Sequence, residues 1–138
     1  MKGRTGDQPM TDFTTFMTAR QAAAGDYVRG RAAAVDALTS DRAPVTFFGP
    51  DGKSVSGADA VTKAFDSGAR HFDPGGDSRL EILQSADGGD IGYWCGLQHA
   101  HVEMDGKTVP MTLRITELFR REDGEWKLVH RHADMMKG

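Results

Sequence analysis

The sequence predicts an α+β domain in which helices come first and pack on one face of a curved, mostly antiparallel sheet. Three observations carry this expectation. Helical spacing of apolar residues is confined to the first half of the chain. The second half consists of alternating runs separated by the Asp-Gly turns "DGGD", "DGK" and "EDG". Helices followed by a strand meander belong to the α+β arrangement rather than to alternating crossovers.

The elements follow in order. "MKGRTGDQPM" is polar and without an apolar segment, so residues 1–10 read as a flexible tail and 11–138 as one domain. Thr11 or Asp12 can cap a first helix carrying Phe13, Phe16 and Met17, which Gly25 ends. Asp26 can cap a second helix with Tyr27, Ala34 and Leu38 near one stripe, weakened by Gly30. Pro44 precedes a short strand, "VTFFG", and "PDGKSVSG" is turn chemistry. Ser56 or Asp59 starts a third helix with Val61, Ala64 and Phe65 inward, and "DPGGDS" breaks it. Four β runs follow: "RLEILQSA", "IGYWCGLQHAHVEM", "TVPMTLRITELFR" and "EWKLVHRHAD".

Size and composition bound the function. A chain of 138 residues can bury a core without staples. The net charge is −3 and the basic residues are scattered, which excludes an electrostatic footprint for nucleic acid. No apolar run approaches the roughly 20 residues that span a bilayer. The single cysteine, Cys95, allows no internal disulfide and fits a reducing compartment. A cytoplasmic protein without membrane contact is expected.

On the run 111–119, Met111, Leu113, Ile115 and Phe119 share the odd face with Glu117. That face meets the helices, so Glu117 is a carboxylate among apolar neighbours and must be paired, hydrogen-bonded, protonated or lining a cavity. What lies opposite depends on the last hairpin. A two-residue Asp123-Gly124 loop pairs Glu117 with His130. A three-residue "EDG" loop pairs it with Val129, turning Arg131 and Ala133 inward and Trp126, Leu128, His130 and His132 outward.

"FFGPDGKSVSGADAV" and the closing "TELFRREDGEWKLVHRHAD" resemble the nuclear-transport-factor-2-like superfamily, within it the SnoaL-like group and the association (hub) domain of calcium/calmodulin-dependent protein kinase II. The resemblance runs from about Thr11 and is most specific from Thr116 through the two histidines. It implies a cone-shaped barrel: a strongly bent sheet wrapped around about three helices, with a pocket at its wide end and dimers through the outer sheet face. It implies a small-molecule-binding protein, as a cofactor-independent acid–base lyase, isomerase or hydrolase, or alternatively a non-catalytic oligomerisation module. The ketosteroid isomerase base falls near Gly49 and its oxyanion tyrosine near Thr18, so neither group is present. The basic pocket positions of the hub fall on His99, Glu117 and Ala133, and this match supports the three-residue register.

The expected pocket joins His99 and Glu117 as base and acid, Tyr93 orienting an oxygen, and Arg131 stabilising negative charge. A "DGK" loop of three residues would place Cys95 beside Glu117. The bland counterpart is a buried Glu117–Arg131 ion pair. Phe47, Phe65 and Ile115 supply the apolar contacts to a modest organic ligand. Trp94 and Trp126, with Arg114, Thr116, His130 and His132, form the expected interface of a homodimer. A zinc cluster of His99, His101, His130 and His132 would need both pairs on one face, which this reading denies, so neither metal nor cofactor is expected.

Overall fold

The computed structural model describes residues 12–137. The expected N-terminal tail and the alternative cap Thr11 lie outside the described residues. The chain runs α1 (Phe13–Val28), α2 (Ala33–Leu38), β1 (Thr46–Phe48), β2 (Ser54–Ser56), α3 (Ala58–Ala69), β3 (Asp73–Gly88), β4 (Ile91–Met104), β5 (Lys107–Glu122) and β6 (Glu125–Met135). The six strands form one sheet in the order β2-β1-β6-β5-β4-β3. β1 runs parallel to β6; every other pairing is antiparallel. The sheet curls around the helices and stays open at its β2 and β3 edges, giving the expected α+β cone. Among the described residues, no helix is long and apolar enough to cross a membrane.

α1 begins where the Asp12 carboxylate accepts the Thr15 amide at 2.7 Å. It passes straight through Gly25, where a break was expected, and leaves α2 only six residues. Phe13, Phe16, Met17, Arg20, Ala23 and Ala24 recur at helical spacing and are all buried. Phe13 and Phe16 pack on Phe119 with ring centroids 5.7 and 4.8 Å apart, and Phe13 meets Trp126 at 5.3 Å. Gln21 ties α1 to β3: its amide donates to the Ser78 carbonyl and accepts the Leu80 amide. "DPGGDS", expected to be a break, opens β3 instead.

Register corrects the facing of two strands. Met104 pairs with Lys107 across Asp105-Gly106, and Glu122 pairs with Glu125 across Asp123-Gly124. Both central residues of each turn have positive φ, 54° and 77° in the first and 51° and 80° in the second. These are two-residue turns of the mirror-image type that suits the strand twist, and Asp-Gly tolerates them best. Neither is a three-residue loop. Trp94 therefore lies opposite Glu117 and faces inward, while Cys95 lies opposite Thr116 and faces outward.

The last strand combines both expected registers. Phe119 pairs with Leu128 and Leu118 with His130, so Val129 is an extra, bulged residue. Before the bulge the even residues Trp126 and Leu128 point inward; after it the odd residues Arg131 and Ala133 do. Trp94 and Trp126, at 0% and 2% exposure, are core residues and cannot form the outer interface.

α2 and α3 bring the Asp36 and Asp66 carboxylates together. Burial, then the hydrogen bond and charge of Asp66, push Asp36 from 3.8 up to about 7. A raised carboxylate pKa means the fold holds that proton more tightly than the unfolded chain does. The pair's contribution is intact below pH 3.8 and lost as pH climbs through 7. Asp36→Asn should raise the urea midpoint at pH 8.5 and leave it unchanged at pH 4.

Candidate functional site

Glu117 is completely buried, and three side chains from three elements converge on it. Arg20 of α1 donates Nε to Oε1 at 2.9 Å and Nη2 to Oε2 at 2.8 Å. Arg131 of β6 donates Nη1 to Oε2 at 2.7 Å, and the Trp94 indole of β4 donates Nε1 to Oε1 at 2.8 Å. Four bonds occupy the acceptor positions of a carboxylate. Burial alone would push the acid up, but the charges of Arg20 and Arg131 and the bonds from Arg20 and Trp94 outweigh it. They bring Glu117 from 4.5 down to about 2. The expected Glu117–Arg131 pair is thus part of a larger cluster.

Beside the cluster opens a cavity of about 750 Å³ between the helices and the inner sheet face. Arg20, Gln98 and Arg131 form its polar, buried end. Arg131 spends Nη2 on the Gln98 carbonyl oxygen at 2.9 Å, and Gln98 passes its amide to Ser78 Oγ at 3.0 Å. Phe47 and Phe65, packed with centroids 5.0 Å apart, supply part of the apolar wall with Val35, Leu113 and Ala133. Asp51, Lys53 and His71, all exposed, also line the cavity, as do Met104 and Met135.

Tyr27 also lines the cavity. A Cβ at Gly68 would sit 2.3 Å from its hydroxyl, so any larger residue there would force the Tyr27 ring to shift. Burial raises the Tyr27 phenol; Arg131 opposes this, and Asp36 and Asp66 reinforce it. The hydroxyl is therefore a protonated donor at neutral pH.

The expected residues divide between two faces. Glu117, Arg131 and Phe47 share the inner face, Phe65 packs on Phe47 from α3, and Arg131 and both phenylalanines are on the cavity wall. Ile115 is buried in the core but does not line the cavity. His99 and Tyr93 lie on the opposite face, because the two-residue turn at 105–106 shifts β4 by one position. His99 Nε2 meets Glu81 at 2.7 Å, and the Tyr93 hydroxyl donates to Gln84 at 2.9 Å. His99 and Glu117 are not brought together as acid and base.

Arg114, Thr116, His130 and His132 occupy the outer face as expected. Arg114 grips Asp134 through two bonds of 2.7 and 2.8 Å, and His130 Nδ1 lies 2.7 Å from Thr46 Oγ1. All four strand histidines share this face, correcting the expected separation, yet β5 divides the pairs. Among the described residues, no three histidine, cysteine or acidic side chains group as metal ligands.

Sequence reasoning missed Arg20, Gln98 and Tyr27. A signal for Arg20 existed: it interrupts the stripe of Phe13, Phe16, Met17, Ala23 and Ala24, as Glu117 interrupts the inner face of β5. Two opposite charges, each alone on an apolar surface, are natural partners.

The sequence profile of the SnoaL-like domain matches residues 17–137. No curated protein matches the chain. Among solved structures, a proposed dehydratase of the nuclear-transport-factor-2-like family from Streptomyces avermitilis aligns with a TM-score of 0.74 at 19% identity, covering 95% of this chain and 100% of that one. A proposed calcium/calmodulin-dependent protein kinase II association domain from Thiobacillus denitrificans aligns at 0.71 and 16%, covering 95% and 100%. A ketosteroid isomerase-like protein from Erwinia carotovora atroseptica aligns at 0.71 and 17%, covering 88% and 94%. At these identities the likeness is one of fold.

Glu117→Gln should cost about 3–5 kcal/mol in denaturant unfolding at pH 7, because it leaves two guanidiniums buried without a counter-charge. A carboxylate held below its ordinary value stabilises the fold above pH 4.5, and that contribution fades as pH falls toward 2. The variant's stability should accordingly change less with pH across that window than that of the unaltered protein.

Proposed function

The chain belongs to the SnoaL-like domain family, within the nuclear-transport-factor-2-like superfamily, and from its cavity we propose that it binds a small, partly apolar organic molecule between helices and sheet. One observation carries the reading: a cavity of about 750 Å³ has mostly aromatic and aliphatic walls with a few polar side chains, Arg20, Gln98 and Arg131 among them, set into them. This is the usual composition of a small-molecule site. Turnover, if it follows, is cofactor-independent acid–base chemistry of the lyase, isomerase or hydrolase type. Within it Glu117 holds Arg20 and Arg131 in position, and the Tyr27 hydroxyl is the proton donor on the wall. The dehydratase label of the Streptomyces neighbour is compatible with this chemistry.

Ala64 lines the cavity from α3. Filling that space with Ala64→Trp should weaken binding of the neutral fluorescent probe N-phenyl-1-naphthylamine at least tenfold. An unchanged titration in the folded variant overturns the cavity as the binding site.

A second reading makes the outer sheet face a homodimer interface. Phe48 and Leu118 stand 39% exposed there, and Phe48 packs on His130 and His132 with centroids 5.0 and 5.7 Å apart. Apolar side chains ringed by ion pairs are the anatomy of a contact surface. Leu118→Glu should convert the species measured by light scattering from dimer to monomer while leaving probe binding intact.

A further inference from the structure

Two helices that wall the cavity are joined through a pair of acids. Asp36 of α2 and Asp66 of α3 are half-buried, and their carboxyl groups are in hydrogen-bond contact. Ionised carboxylates only accept, so this bond exists only while one of the two carries a proton. The other oxygen of Asp36, Oδ1, is buried and has no hydrogen-bond partner among the described residues.

No cation answers a second negative charge there. The charge that acts on Asp36 is that of Asp66. In the hollow that Asp36 also lines, Arg42 pairs with Asp123, Lys127 with Glu125 and the Ala37 carbonyl, and Asp41 and Glu122 are acids. Lys63, exposed on the same helix as Asp66, pairs with Asp59. From α1, Tyr27 faces both acids with a neutral phenol. Losing the shared proton therefore leaves two like charges pressing α2 and α3 apart. The cavity wall moves with them: Val35 precedes Asp36 in the chain, Phe65 and Ser67 flank Asp66, and all three line the chamber.

We propose that the Asp36–Asp66 pair is a pH-operated latch on the cavity. Sharing one proton, it holds α2 against α3 and the chamber closed on its ligand; losing that proton, it opens the wall. The inference rests on the ligand-binding reading above and adds regulation to that site. Burial and Asp66 raise Asp36 to about 7, so the latch is engaged below neutrality and released as pH climbs through 7. Coupling is reciprocal, so a ligand that needs the closed wall also tightens the proton.

The test is titration of N-phenyl-1-naphthylamine, neutral throughout this range, at pH 6 and pH 8.5. Affinity should fall about fivefold or more between the two, as coupled sites commonly do. In Asp36→Asn an amide donates to Asp66 at either pH, so affinity should stay constant. Hydrogen exchange, corrected for the intrinsic effect of pH, should quicken at pH 8.5 in residues 33–38 and 58–69 but not in β4 or β5. Equal affinity at both pH values in the unaltered protein overturns the latch and leaves the cavity reading standing. A fall that persists in Asp36→Asn assigns the dependence to another group, such as His71 on the wall, and overturns the latch. Faster exchange spread evenly over the sheet overturns it too. Saturable binding at neither pH overturns both readings. Titration and exchange of the unaltered protein decide the matter even if the Asp36 variant fails to fold.

Discussion

A carboxylate with no exposure to water needs its charge answered from within the fold, and Glu117 takes that answer from three elements at once. Arg20 comes from α1, Trp94 from the neighbouring strand β4 and Arg131 from β6. Arg20 lies 97 residues from Glu117, so the pair fixes the first helix against the middle of the sheet. A buried pair contributes little net energy relative to well-packed apolar side chains, but it penalises any arrangement that separates its members. Its effect here is specificity of placement. α1 is held in one position along the sheet, and the space beside it becomes the cavity.

The same cluster explains why an acid–base role does not fall to Glu117. All four of its acceptor positions are used, and its partners hold the proton affinity far below neutrality. What it does for the cavity is indirect: it fixes two guanidiniums, those of Arg20 and Arg131, that belong to the cavity wall. Arg131 spends its spare edge on Gln98, and Arg20 keeps one donor unspent.

Two small backbone devices decide which residues can join the site. The Asp-Gly turns close two hairpins in two residues rather than three, which places Trp94 and Gln98 inside and sends Tyr93 and His99 outside. The bulge at Val129 then reverses the facing of β6 halfway along. Without it, Trp126 and Leu128 could share the inner face or Arg131 and Ala133 could, but not both pairs, because strand side chains alternate. The bulge reconciles an aromatic core at one end of the sheet with a polar cavity floor at the other.

From the sequence alone followed the α+β class, the helix-first order, the Asp-Gly turns at 105–106 and 123–124 and the inner face of β5 with Glu117 as its exception; the hairpin expected at "DGGD" closes on Gly89-Asp90, with Asp87-Gly88 inside β3. These rest on local properties: periodicity, cap and turn chemistry, and the alternation of one strand. The facing of β4 and β6 was not legible. Turns of two and three residues are written with the same letters, and a bulge has no sequence mark when both faces of the strand carry apolar residues. Arg20 was visible only as a lone cation on an apolar stripe, and its partner could be named only once α1 was seen against β5. The cavity itself is a gap between elements, so its shape exists only in the tertiary structure.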